Sequence, residues 1–302
     1  MHQLRIGFIG AGRMGAPIIE RLVAAGHDVT VLTRRPEARA AAEAKGWHTA
    51  DTVGQTVRSA ELVISIVLDD AQVRAALLGP DGVIAAMPPG AVLVQHTTCD
   101  PDTAVAVADA GATRGVRVLD AAVSGNPRDT AAGALTIWVG GDEAVLDTVR
   151  LALESYGSSV LHVGPIGHGQ RVKLVNNALF VAQVGLAVDA VRLAESIGIG
   201  EAEILAAVQH GSGDSRALGS VAWIGVDAVG IRLAELMLKD VVVVREIAER
   251  AGADLGLLGD VLSSELVEKR VLCSGAPPDR ALIERTPLTP GSMKHTVSEG
   301  SS

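Results

Sequence analysis

Ile6-Gly7-Phe8-Ile9-Gly10-Ala11-Gly12-Arg13-Met14-Gly15 is an apolar run that ends in three spaced glycines; a helix-like stretch follows to Gly26, and a second apolar run starts at Val29. This order fits a strand, a tight turn, a helix N-terminus and another strand. The first glycine makes the turn, the second lets the backbone approach a pyrophosphate at the helix N-terminus, and the third lets helix and strand pack closely. Gly10, Ala11, Gly12, Arg13, Met14 and Gly15 are therefore assigned to dinucleotide binding, with a ligand-free turn as the alternative.

The end of the second run selects the dinucleotide, because a carboxylate there bonds the adenosine ribose 2′-OH and an arginine meets a 2′-phosphate. The sequence reads Thr33-Arg34-Arg35, and Asp28 stands at the opposite end of the run. NADP(H) is predicted over NAD(H), with ordinary surface charge as the alternative for the two arginines.

From residue 4 to about 163, short apolar runs alternate with helix-like stretches: Ile6–Ile9, Val29–Leu32, Leu62–Val67, Val92–Gln95, Val116–Leu119, Leu135–Val139 and Val160–Val163. Repeated βα units predict a largely parallel sheet covered on both faces. After Gly164 the pattern changes to long helical periods over 170–197, 201–210 and 231–251. The fold class expected is α/β, a Rossmann-type doubly wound parallel sheet over 1–164 followed by an all-helical domain over 165–283. Gly164-Pro165-Ile166-Gly167 marks the boundary. Residues 284–302, rich in Pro, Ser, Thr and Gly, are expected to form a disordered tail.

The chain has 302 residues, 48% hydrophobic and 20% charged, with a formal charge of -9 and no basic cluster. That excludes a nucleic-acid surface as the default and means that a small anionic substrate needs local positive charge. Two cysteines, Cys99 and Cys273, lack ligand-like spacing, which fits a reducing cytoplasm with neither disulfides nor a zinc site. The stretch from Ile6 to Ile19 is broken by Arg13 and glycines, unlike a signal h-region, and no run of 18 apolar residues suggests a membrane span.

Gly167-His168-Gly169-Gln170-Arg171-Val172-Lys173-Leu174-Val175-Asn176-Asn177 sets a lysine and an asparagine four residues apart at the start of a long apolar segment. In a helix, Lys173, Asn177, Phe180, Val184 and Val188 share one face, so an ammonium and a carboxamide project together over an apolar stripe. A snorkelling lysine and a helix-helix hydrogen bond are the alternatives. Asp120-Ala121-Ala122-Val123-Ser124-Gly125-Asn126 ends an apolar run in small residues that could offer a hydroxyl and backbone N–H groups to a carboxylate, or form a solvated turn. His96, Cys99 and His168 are read as structural.

These motifs together resemble the β-hydroxyacid dehydrogenase family, over about residues 4 to 270. Gly10 to Gly15, Asp120 to Asn126 with Gly133-Ala134-Leu135, and Gly167 to Asn177 follow the family's motifs in order. The resemblance implies a substrate held between the two domains, Lys173 as catalytic acid/base, Asn177 orienting the substrate, Asn176 among the substrate-binding residues, and Ser124 and Gly125 on the substrate carboxylate. It also brings Lys239 of a Lys239-Asp240 pair to the cofactor side and sets Thr98 near the nicotinamide. Departures from the pattern are Asn126 for a second glycine, Leu68-Asp69 for Leu-Pro after Val67 beside the cofactor, and Ile231 for a pocket aromatic.

The activity implied is hydride transfer between NADP(H) and a small 3-hydroxy acid or aldehyde acid, of 3-hydroxyisobutyrate, succinic semialdehyde, glyoxylate or tartronate semialdehyde type, in a homodimer or homotetramer. Two rivals stand beside it. An imine reductase resembles the same architecture but usually replaces the lysine, and a cofactor-binding module without turnover would have lost it.

Overall fold

The computed structural model describes residues 3–263, apart from the side chains of 231–236 and 238. The tail expected over 284–302 and Cys273 lie outside the described residues. The N-terminal part runs β1 (Arg5–Ile9), α1 (Gly15–Ala24), β2 (Asp28–Leu32), α2 (Pro36–Ala44), β3 (His48–Ala50), α3 (Val53–Val57), β4 (Leu62–Ser65), α4 (Asp70–Leu78), α5 (Val83–Ala86) and β5 (Val92–Gln95). It continues through α6 (Pro101–Ala112), β6 (Arg117–Ser124), α7 (Pro127–Ala131), β7 (Leu135–Gly140), α8 (Glu143–Glu154) and β8 (Gly157–Gly164). Helices then follow: α9 (His168–Ser196), α10 (Glu201–Val208), α11 (Arg216–Ile224), α12 (Val226–Ala251) and α13 (Gly256–Leu262).

The eight strands form one sheet in the order β3-β2-β1-β4-β5-β6-β7-β8. All neighbours are parallel except β6 and β7. The exception follows from chain length, because the turn-and-α7 connection after Ser124 is too short for a parallel crossover. Alternate strand residues face opposite layers, as the period of two requires: Ile6, Phe8, Leu62, Ile64, Val92 and Val94 join the core under α1 and α8. Ile9, Val63 and Leu93 face the opposite core, with Val73 and Leu77 of α4. The doubly wound sheet and the helical part after it match the class read from the sequence.

The helical part packs around α9, whose Leu174, Val181, Val184, Val188 and Val191 are buried against α11, α12 and α13. Length and composition would let α9 cross a membrane, but it is the central helix of this core, with 56% of its most apolar window buried. At its start the helix meets the sheet through Asp120 of β6, which is 1% exposed. The Asp120 carboxylate accepts from the backbone N–H of Gly167 at 2.6 Å and of Gln170 at 2.9 Å. These are donors that a helix start otherwise leaves unpaired, and the dipole there favours negative charge. Burial alone pushes the Asp120 carboxyl up, and the two backbone N–H groups oppose that rise.

Gln170 completes the seam. Its side chain accepts from the Cys99 N–H at 3.0 Å and donates to Gln95 Oε1 at 3.2 Å and the Thr97 carbonyl at 3.2 Å. Asp120→Ala would leave two buried donors without an acceptor, so a loss of about 2–4 kcal/mol is expected in denaturant unfolding. An unchanged midpoint would show that the cap does not hold α9.

Candidate active site

At Gly10 the chain leaves β1 with φ 104, and a Cβ there would strike the Ile66 carbonyl, so only glycine makes this turn. A Cβ on Gly15 would press on the Gly10 carbonyl and the Phe8 ring, which ties the third glycine to helix–strand packing. Gly12 differs, since nothing lies within 4 Å of its missing Cβ. The bare backbone faces open space beside the N-terminus of α1, with Ala11 and Arg13 exposed and Met14 half-buried at the cap.

A cavity of about 570 Å³ extends from this turn and is lined by Thr33, Arg34, Arg35, Trp47 and Val67. The Thr33 hydroxyl is buried without a partner. Arg34 and Arg35 are exposed. Asp28, at the other end of β2, bonds the His48 ring instead. An open glycine cradle, an orphaned hydroxyl and two cations around an apolar slot fit a dinucleotide with its phosphates at the α1 N-terminus.

Farther along the strand ends, Thr97 Oγ1 accepts from the Val67 N–H at 2.8 Å and fixes the loop after β4. Leu68 is 69% exposed, and its carbonyl accepts from Lys239 Nζ at 2.8 Å. Asp69 accepts from the Gln72 N–H at 2.8 Å as the cap of α4, which accounts for a carboxylate where the resemblance implied proline. Thr98 is half-buried.

Lys173 lies half-buried one turn into α9. Its pKa is lowered to about 8, first by burial; Lys239 adds to the fall and Asp240 opposes it. Asn177 is 2% exposed. Its amide donates to Asp240 Oδ2 at 2.6 Å, and its own carbonyl accepts from Asn176 at 3.2 Å. Asp240 is 4% exposed, and burial pushes its carboxyl up against the lowering effect of Asn177, Lys239 and Lys173. The group is thus a lysine poised near neutrality with a carboxylate fixed beside it, an arrangement suited to holding or releasing one proton.

Ser124 ends β6, half-buried, and Gly125 follows with φ 135, where a Cβ would meet Leu135 Cδ2 at 2.6 Å. Asn126 caps α7: its side-chain Oδ1 accepts from the Arg128 and Asp129 N–H groups, and the Asp129 carboxylate accepts from the Asn126 N–H. The side chain that replaces a glycine is thus accounted for by the turn. The Ile231 side chain lies outside the described residues.

Asp240, Asp120 and Gln170 were not singled out from sequence. Asp240 was legible only as the neighbour of Lys239; its helical phase turns it to Asn177, and that pairing needs the tertiary structure. His96 is buried, donates from Nδ1 to the Ala121 carbonyl and accepts at Nε2 from the Tyr156 hydroxyl at 2.9 Å. Burial lowers its pKa to about 4, so it is a neutral structural link. Cys99 is buried and its thiol is pushed up by that burial, which leaves it inert. His168 Nδ1 meets the Val163 carbonyl at 3.2 Å.

Residues 5–164 match the model of the NAD binding domain of 6-phosphogluconate dehydrogenase. Residues 167–269 match that described as NAD-binding of NADP-dependent 3-hydroxyisobutyrate dehydrogenase. An NAD-dependent L-serine dehydrogenase of Pseudomonas aeruginosa is 35% identical over 82% of this chain and 87% of its own length. A 3-hydroxyisobutyrate dehydrogenase of the same organism is 34% identical over 70% of this chain and 72% of its own. Among solved structures, the Mycobacterium tuberculosis 3-hydroxyisobutyrate dehydrogenase with L-serine aligns with a TM-score of 0.76 and 28% identity, covering 86% of this chain and 91% of that one.

Because Gly12 borders open space, Gly12→Val should fold with an unchanged Tm. It should weaken NADPH binding in calorimetry by about 10- to 100-fold, the worth of one or two charge-assisted backbone hydrogen bonds. An unaltered Kd would move the phosphates away from this turn.

Proposed function

The chain belongs to the β-hydroxyacid dehydrogenase family, and on that premise we propose that Lys173 is the acid/base in hydride transfer between NADP(H) and a small 3-hydroxy acid or aldehyde acid. Membership makes it an NAD(P)-binding dehydrogenase that acts on CH–OH groups. The bound nicotinamide would supply or accept the hydride. One observation carries the reading of the protein side: a half-buried lysine with a pKa of about 8 beside the buried Asp240 and Asn177.

Protonated, Lys173 donates to the carbonyl oxygen during reduction; neutral, it takes the hydroxyl proton during oxidation. Asn177 holds Asp240 in place, and Asp240 keeps the lysine from losing its proton too readily. Ser124 and the backbone at Gly125 receive the substrate carboxylate, with Asn126 shaping the loop and Asn176 lying beside the lysine. Arg34 and Arg35 meet a 2′-phosphate, and Lys239 stands on the cofactor side. The named substrates of the two Pseudomonas relatives, L-serine and 3-hydroxyisobutyrate, each carry the hydroxyl on the carbon β to the carboxylate, which supports a 3-hydroxy acid here. Exposed Val175, Leu179, Leu186 and Leu193 along α9 support a homo-oligomer.

A coupled assay with NADPH and NADH over 3-hydroxy acids, aldehyde acids and cyclic imines tests cofactor and reaction together. NADPH is expected to be preferred with the acids; a clear NADH preference overturns the cofactor assignment, and turnover of imines alone overturns the reaction. Lys173→Ala is expected to lower kcat about 100- to 10,000-fold with NADPH binding unchanged. Near-normal turnover removes Lys173 from the mechanism.

The pH dependence follows the same group. Below about pH 8 the lysine is charged and above it neutral, so kcat/KM for oxidation should rise through about pH 8 and that for reduction should fall. Asp240→Asn removes the charge that raises this pKa, so both limbs should move to lower pH. A shift in the opposite direction contradicts the pairing.

A further inference from the structure

Arg128 and Trp223 meet across the gap between the sheet and the helical part, with the guanidinium carbon 5.7 Å from the indole ring centre. Arg128 sits in α7, just past the Ser124–Asn126 loop, and Trp223 lies near the end of α11. The elements that bear the two side chains are also linked the long way round, since β6 packs on α9 and α9 packs on α11. The Arg128–Trp223 contact closes that arc into a ring. Ser124 and Lys173 lie on β6 and α9, so the pair joins the same elements that carry the residues assigned to substrate.

Neither side chain is explained by packing. Trp223 is 59% exposed, an unusual place for one of only three tryptophans in the chain. Arg74, Arg150, Arg192 and Arg250 each pair with an aspartate. Arg128 has no carboxylate partner among the described residues, and the adjacent Asp129 is turned away onto the Asn126 N–H. The indole face attracts the guanidinium by its charge and leaves its N–H groups available to another partner. A guanidinium with its N–H edge available matches a carboxylate in two parallel hydrogen bonds. In a chain of charge -9 it is also a permanent positive charge.

We propose that Arg128, held by Trp223, recognises a second carboxylate on the substrate, at the end remote from the carboxylate taken by Ser124 and Gly125. The preferred substrates are then hydroxy diacids and their semialdehyde acids. This rests on the hydroxy-acid reading of the site given above. Arg128 sets specificity, and Trp223 positions it.

A matched pair of acids tests the assignment: 3-hydroxyisobutyrate, and 2-(hydroxymethyl)succinate, in which the methyl group of the first carries a carboxylate. The wild type is expected to favour the diacid at least about 10-fold in kcat/KM. Arg128→Gln should lower kcat/KM for the diacid about 10- to 100-fold, mainly through KM, and change the monoacid less than about 2-fold. Arg128→Lys should recover part of the loss, and Trp223→Leu should weaken the diacid alone, by less than Arg128→Gln does. Tm and NADPH affinity, both expected to be unchanged, show that the variants are folded.

Equal losses on both acids, or none on either, overturn the role of Arg128, as does a wild-type preference for the monoacid. If the monoacid turns over normally while Arg128→Gln leaves the diacid unaffected, only this inference falls. If the wild type oxidises neither these nor any other hydroxy acid, the hydroxy-acid reading falls and takes this inference with it.

Discussion

Two backbone N–H groups on one buried carboxylate hold this protein together as a working unit. Asp120 projects from the middle of the sheet and takes the donors of Gly167 and Gln170, so the start of α9 is fixed to β6 rather than merely packed near it. Everything that α9 carries inherits that placement. Lys173 and Asn177 come one and two turns later, and a rotation of the helix by a single residue would carry the ammonium about 100° away from its present face. Small residues make the approach possible: a Cβ on Gly140 or on Gly169 would run into Asp120 itself.

From this anchor the polar groups are graded by solvent access. Asp120, Gln170 and His96 are sealed and fully bonded, and serve structure. Lys173 and Asp240 are less completely enclosed and only partly compensated, which is the condition under which a proton can move at neutral pH. Arg34, Arg35 and Arg128 are exposed.

Much of this was legible in the sequence because the signals are local. Three glycines at fixed spacing specify a turn, and the apolar runs of β1, β2, β5 and β7 carry their own strand signature. The phase of α9 followed from its apolar period, which put Lys173 and Asn177 on one face. What was not legible depends on partners distant in the chain. β3 is three residues, half-buried at the sheet edge, with too little apolar character to register. α11 has no counterpart among the helical periods read from the sequence, and α12 begins at Val226, ahead of the expected Ile231, directly after Gly225 at φ 88. Asn126 and Asp69 read as departures from a binding pattern, yet both are helix caps, a duty that the spacing of their own neighbours already permitted.

The last helix of the cleft places Lys239 and Asp240 side by side in sequence but on different tasks. Lys239 holds the carbonyl of Leu68 in the loop after β4, and Asp240 holds the carboxamide beside Lys173. Adjacent residues on a helix share one rigid backbone, so the lysine that holds the loop after β4 and the carboxylate that raises the proton affinity of Lys173 are placed together. One turn of α12 thus makes both the contact with the Leu68 loop and the contact with the Lys173–Asn177 face.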